Sequence, residues 1–166
     1  DDYSLEINNY PEEFEAYYNR AHVYHELGEV KIAINDYNTA IKINSNNPDI
    51  FSARGNAYRD IKDYKLAIQD YTSTIKIRQT DDIAYNCRGA CYRMIGDNKQ
   101  ALSDFSLSIK INPMNESAYM NRGILYSILG EKELAITELK KAVDLGVEYG
   151  SNLLKEDYNI DYPWTK

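Results

Sequence analysis

The chain has 166 residues, 26 acidic against 19 basic side chains, and a formal net charge of −7. That is long enough for one domain with a continuous core, and the acidic balance argues against a nucleic-acid binder, which normally carries a basic stripe. No run approaches 18 apolar residues, so no membrane-spanning helix is expected in this segment.

A 34-residue period organises the sequence. Tyr24, Tyr58, Tyr92 and Tyr126 mark it, and other columns keep step. Ala21, Gly55, Gly89 and Gly123 precede each tyrosine by three. Ala33, Ala67, Ala101 and Ala135 follow by nine. Tyr37, Tyr71, Phe105 and Leu139 follow by thirteen, and Ala40, Thr74, Ser108 and Ala142 by sixteen. Small residues let two helix backbones approach, and the large rings fill the space beside them. A period of this length implies stacked copies of one supersecondary unit.

In chain order, residues 1–13 come first. Shifting Asp36, Tyr37, Ile41 and Ser45 back by one period lands on Asp2, Tyr3, Ile7 and Pro11. This stretch is therefore expected to be the C-terminal part of a preceding repeat's second helix, so the chain is expected to begin inside a repeat; a degenerate natural cap is the alternative. Residues 14–47, 48–81, 82–115 and 116–148 form four repeats, each a pair of helices A and B. In the second, helix A runs from about Pro48 to Ile61, with Pro suited to a first turn. Helix B runs from about Tyr64 to Ile77, with Leu66, Ala67, Tyr71, Thr74 and Ile75 on its buried stripe. The A–B turns carry Gly28-Glu29, Gly96-Asp97 and Gly130-Glu131, where glycine suits a left-handed residue. The second repeat has Lys62-Asp63, and a left-handed Lys62 costs about 1 kcal/mol. After Leu145 and Gly146 the period fades. Residues 149–166 are expected to be a capping helix, from about Tyr149 to Tyr158 with Leu153 and Leu154 on the last repeat, and a patternless tail holding Trp164.

With these columns the chain resembles the tetratricopeptide repeat family. The second and third copies read FSARGNAYRDIKDYKLAIQDYTSTIKI and YNCRGACYRMIGDNKQALSDFSLSIKI. The first begins YYNRAHVYHELGEVKIAINDY and the fourth YMNRGILYSILGEKELAITEL, so the resemblance covers almost the whole chain. It departs from the pattern where Ser45 and Gln79 stand in place of the proline kept as Pro11 and Pro113. The resemblance implies an all-α, right-handed superhelical α-solenoid of antiparallel helix pairs, one continuous domain. Its A helices would line a concave groove that binds a peptide or helix of another protein.

Two charged columns run together. Arg20, Arg54, Arg88 and Arg122 precede the small residue of helix A, while Asp36, Asp70, Asp104 and Glu138 precede the large residue of helix B. The expectation is a structural Arg–carboxylate ladder between helices, since the planar guanidinium fork matches a carboxylate. Arginines gripping an acidic ligand are the alternative.

The groove wall is read from the face of helix A opposite the core. The stripes are Glu15, Tyr18, His22 and His25; Asp49, Ser52, Asn56 and Arg59; Ile83, Asn86, Ala90 and Arg93; and Ser117, Met120, Ile124 and Ser127, with Asn121 beside the last. The wall is expected to be polar at its N-terminal end and more apolar at its C-terminal end. Asn56, Asn86 and Asn121 are candidates to read a peptide backbone. Met120 and Ile124 are candidates to receive an apolar side chain. Some family members clamp chaperone C-termini with Lys and Asn, then Asn, then Lys and Arg. The matching positions are Tyr18, His22, Ala53, Ile83 and Cys87, or one repeat on Ser52, Asn56, Cys87, Ser117 and Asn121. Only Asn56 fits, so a chaperone-tail clamp is not expected.

Little else suggests chemistry. His22 and His25 could share a helix face, but no further ligands converge, so no metal and no cofactor are expected. Cys87 and Cys91, four apart on one helix, read as small buried thiols. Asn115-Glu116-Ser117 fits a glycosylation pattern. No phosphate loop or nucleophile elbow appears. The reading is a non-catalytic binding scaffold. The alternatives are an accessory domain of a larger, enzymatic protein and self-association through an open N-terminal end.

Overall fold

The computed structural model describes Ile7 and residues 12–163. The partial repeat expected over residues 1–13 falls almost wholly outside these, as does Trp164. The helices are α1 (Phe14–Glu26), α2 (Val30–Ile43), α3 (Pro48–Asp60), α4 (Tyr64–Ile77), α5 (Asp82–Met94), α6 (Asn98–Ile111), α7 (Glu116–Ile128), α8 (Lys132–Asp144) and α9 (Glu148–Tyr158). No strand occurs among the described residues, and the fold is an all-α solenoid of helix pairs. Two compact units divide the chain, residues 1–79 and 80–166. In the first, α1 packs on α2 and α3 on α4, with α2 against α3. In the second, α5 packs on α6, α7 on α8, and α9 against α8.

Local chemistry sets the helix ends. Asn47 caps α3 by accepting from the Asp49 N–H, with Pro48 in the first turn. Asp63, Asp81, Asp97 and Asn115 cap α4, α5, α6 and α7 in the same way, each satisfying an N–H that the helix cannot. Three A–B turns pass through glycines at φ of 80–82°, and Lys62 adopts the same region at φ 63°.

The two size columns interlock inside each unit. Tyr37, Tyr71, Phe105 and Leu139 are at most 1% exposed. A methyl group on Gly55 would lie 3.0 Å from the Tyr71 ring, on Gly89 2.8 Å from the Phe105 ring, and on Gly123 3.1 Å from Leu139. Helix A is thus glycine here because the partner side chain lies against its backbone. Burying each large side chain contributes about 1.5–3 kcal/mol.

Helix α9 closes the second unit. Leu154 is fully buried with Met120, Leu139, Ala142 and Val143, and a Cβ on Gly150 would meet Val143 at 2.7 Å. The tail beyond it is not patternless in space. Ser151 Oγ donates to the Tyr162 carbonyl at 2.7 Å, and the Tyr162 hydroxyl donates to Asp144 Oδ1 at 2.7 Å. Lys140 Nζ lies 5.2 Å from the centre of the Tyr162 ring.

Candidate functional site

The arginine column is consumed by structure. Arg20 Nε and Nη2 donate to Asp36 at 2.7 and 2.8 Å. Arg54 holds Asp70 at 2.8 and 2.6 Å. Arg88 holds Asp104 at 2.8 Å through both nitrogens, and Arg122 holds Glu138 at 2.7–3.0 Å. Every rung joins residues 16 apart, across one A–B pair. The ladder also reaches the preceding repeat: Arg54 Nη1 donates to Asn38 Oδ1 at 2.6 Å, and Arg122 Nη1 to Ser106 Oγ at 3.0 Å. Tyr58 and Tyr92 of the marker column lie 5.7 and 5.9 Å from Arg54 and Arg88, which explains why an aromatic recurs there. Burial pushes the Asp70 carboxyl pKa up, against the opposing pull of Arg54.

In the first unit, helices α1 and α3 carry the wall. Tyr18, His22, His25, Ser52 and Asn56, all placed there by the sequence reading, surround one pocket of about 250 Å³, joined by Tyr37, Asp49 and Ala53. His25 Nε2 lies 2.8 Å from Asp60 Oδ2. His22 stacks edge-on against Tyr18 at 5.6 Å. The two histidines thus have different neighbours, and no group of three potential metal ligands occurs among the described residues. Asn56 Oδ1 accepts from the Tyr71 hydroxyl at 2.7 Å, which leaves its NH₂ group for the pocket. Arg59 is not part of this lining and lies 3.6 Å from Asp60. Asp49 pairs with Arg78 at 2.9 Å.

In the second unit, the wall differs from the expected apolar one. Its pocket, about 310 Å³, is lined by Asp82, Ile83, Asn86, Asn112, Asn115, Glu116 and Ser117. Ile83, 65% exposed, is the one large apolar side chain in that lining. Met120 is corrected to a core residue: it is 7% exposed and packs with Leu139, Val143 and Leu154. Ile124 packs half-buried against the same cluster. The physical reason is α9, whose Gly150 brings the backbone close to Met120 where an open wall had been expected. Asn86 and Asn121 have a partner that the sequence reading did not foresee. Asn86 is 9% exposed and accepts from Asn121 Nδ2 at 3.0 Å, so the two amides read each other across α5 and α7. Arg93 stands partly exposed on α5, its Nε buried without a partner among the described residues.

Asn115 is also a structural residue. It is 7% exposed, caps α7, and donates through Nδ2 to Asp82 at 2.8 Å and to Ser108 at 3.1 Å. That amide is not presented to a glycosylating enzyme. Cys91 is buried and Cys87 half-buried, as expected of small thiols on a packed helix.

Sequence reasoning missed Tyr37, assigned wholly to the core, although its ring lines the first pocket. The signal was present: the column changes from Tyr to Phe after the second repeat, so the hydroxyl is not required for packing. It also missed Asn112, whose Nδ2 donates to Asp82 at 3.0 Å from a position just past helix α6.

A tetratricopeptide repeat model matches residues 48–81 and 116–145, and a TPR repeat model matches residues 21–59. Together they span more than half of the chain. No curated protein matches the sequence. Among solved structures, the chain is similar to MamA 41-end from Desulfovibrio magneticus RS-1, at 23% identity over 88% of this chain and 87% of that one, with a TM-score of 0.76. A crystal structure of MamA gives 22% identity, 86% and 84% coverage and a TM-score of 0.81. The first TPR of Spaghetti (RPAP3), bound to the HSP90 peptide SRMEEVD, gives 20% identity, 71% and 94% coverage and a TM-score of 0.69. At these identities the likeness is one of fold.

Proposed function

The chain belongs to the tetratricopeptide repeat family, and from that premise we propose that it is a non-catalytic interaction scaffold whose A helices bind an extended peptide or helical segment of another protein. The observation that carries this reading is the convergence of Tyr18, His22, His25, Ser52 and Asn56 on one pocket. These side chains come from two different repeats. They are polar, aromatic and only partly buried, the mixture that grips a peptide through backbone hydrogen bonds and ring contacts. The peptide held by the Spaghetti repeat domain is consistent with such use of this fold. The column arginines Arg20, Arg54, Arg88 and Arg122 are committed to their carboxylates rather than to an acidic ligand. No helix among the described residues is long and apolar enough to cross a membrane.

The test is selection from a random decapeptide library on the wild-type chain. Selected peptides are then titrated against His22→Ala/Asn56→Asp, a pair that keeps the acceptor for Tyr71. Peptides that lose affinity about tenfold or more in a variant with an unchanged melting curve place binding on this wall. Peptides held equally well by both proteins place it elsewhere and overturn the reading.

A further inference from the structure

Tyr37 and Tyr71 hold the same position in consecutive repeats, and both are buried. Their hydroxyls differ. Tyr71 donates to Asn56 Oδ1 at 2.7 Å. In the first repeat the position of Asn56 is taken by His22, whose ring is turned edge-on to Tyr18. The Tyr37 hydroxyl is consequently buried with no hydrogen-bond partner among the described residues, while Tyr37 lines the 250 Å³ pocket. Buried polar groups are nearly always partnered, so an orphan at the wall of a cavity points to an occupant that satisfies it. Burial, reinforced by Tyr18 and Glu26, raises the Tyr37 pKa, so the group is a neutral donor.

The other polar groups narrow the occupant. Asn56 Oδ1 already accepts from Tyr71, and its Nδ2 is left to donate. Thr74 Oγ1 has a single proton and lies 3.2 Å from the carbonyls of Pro48 and Asp70. Ser52 Oγ lies 3.0 Å from Thr74 Oγ1 and either hydroxyl can donate; in both arrangements Ser52 Oγ keeps a lone pair for the pocket. The carboxylates beside the pocket have partners, Asp49 in Arg78 and Asp60 in His25 Nε2. Tyr37 and Asn56 supply donors and Ser52 an acceptor, with the Tyr18 hydroxyl and the His22 ring in the same lining, and this mixed set of donors and acceptors suits a primary carboxamide. A carboxylate has only acceptors to offer, and an ammonium only donors.

We infer that this pocket is a subsite for the carboxamide side chain of an asparagine or glutamine in the bound segment. Its carbonyl accepts from the Tyr37 hydroxyl and the Asn56 amide, and its NH₂ donates to Ser52 Oγ. The inference rests on the peptide-binding reading above.

The experiment uses the peptides selected on the wild-type chain. They should share an Asn or Gln at one fixed position, and the selection should lose that preference on Tyr37→Phe. For one such peptide, Tyr37→Phe and a Gln→Met replacement in the peptide should each weaken binding about five- to tenfold, and the two together should cost little more than either alone. Tyr37→Phe should melt no lower than wild type, since it removes a group without a partner. Wall-dependent peptides with no Asn or Gln preference, a preference for Asp or Glu, additive losses in the cycle, or a markedly lower melting point for Tyr37→Phe would each sink the subsite while leaving the scaffold reading intact. Failure to select any peptide would sink both.

Discussion

The two units share one repeat and use its columns differently. In the first, the large column is Tyr37 and Tyr71, so hydroxyls reach the wall and an asparagine is held with its donors free. In the second it is Phe105 and Leu139, the core column carries no polar atom, and the wall asparagines 86 and 121 bond each other. The same period therefore yields a wall whose asparagine is held by a core tyrosine in one unit and by an asparagine of a neighbouring helix in the other. The ladder is the constant between them, because bidentate pairing fixes the A–B register wherever the repeat occurs.

The comparison breaks most sharply at Met120. Met120→Glu places an unpaired carboxylate in the cluster under α9 and should cost about 3–5 kcal/mol, whereas Ile83→Glu, on an exposed side chain, should stay within about 0.5 kcal/mol. Thermal melts followed by circular dichroism separate the two, and similar costs would mean that Met120 is not covered as described.

Next come the glycines. Gly89→Ala drives a methyl into the Phe105 ring, 2.8 Å away, and Gly55→Ala meets Tyr71 at 3.0 Å. Each should cost about 1–3 kcal/mol, with the loss larger at Gly89, and each kcal/mol lowers the melting point by about 2–4 °C. An unchanged melting point for both variants would contradict the close approach.

Smaller again is the tyrosine pair. Tyr71→Phe deletes a hydrogen bond and should cost about 1 kcal/mol, while Tyr37→Phe should be neutral or slightly stabilising. Urea unfolding resolves the difference.

The smallest effect concerns Asp70, whose pKa is raised above 3.8, chiefly by burial. The folded state then holds this proton more tightly than the unfolded chain. Its contribution is complete below about pH 3.8 and is lost as pH rises through the folded value. Compared with Asp70→Asn, the wild type should therefore gain relative stability between pH 6 and pH 3. The opposite trend in paired melts would show that the Arg54 interaction outweighs burial.

Much of this was legible in the sequence. The 34-residue period located every helix pair, the glycine turns, the left-handed Lys62 and the partners in each Arg–carboxylate rung, because these depend on backbone conformation and on neighbours at fixed spacing. The residues around the first pocket were also legible, since Tyr18, His22, His25, Ser52 and Asn56 lie on one stripe of α1 and α3. Tertiary structure alone decided which wall positions stay open. Met120 looked like a wall residue until α9 covered it, and Asn86 looked free until Asn121, 35 residues away, reached it. Helical periodicity fixes the direction in which a side chain leaves its helix. Whether it then meets solvent, a capping helix or another amide depends on elements distant in sequence, and only their packing determines that.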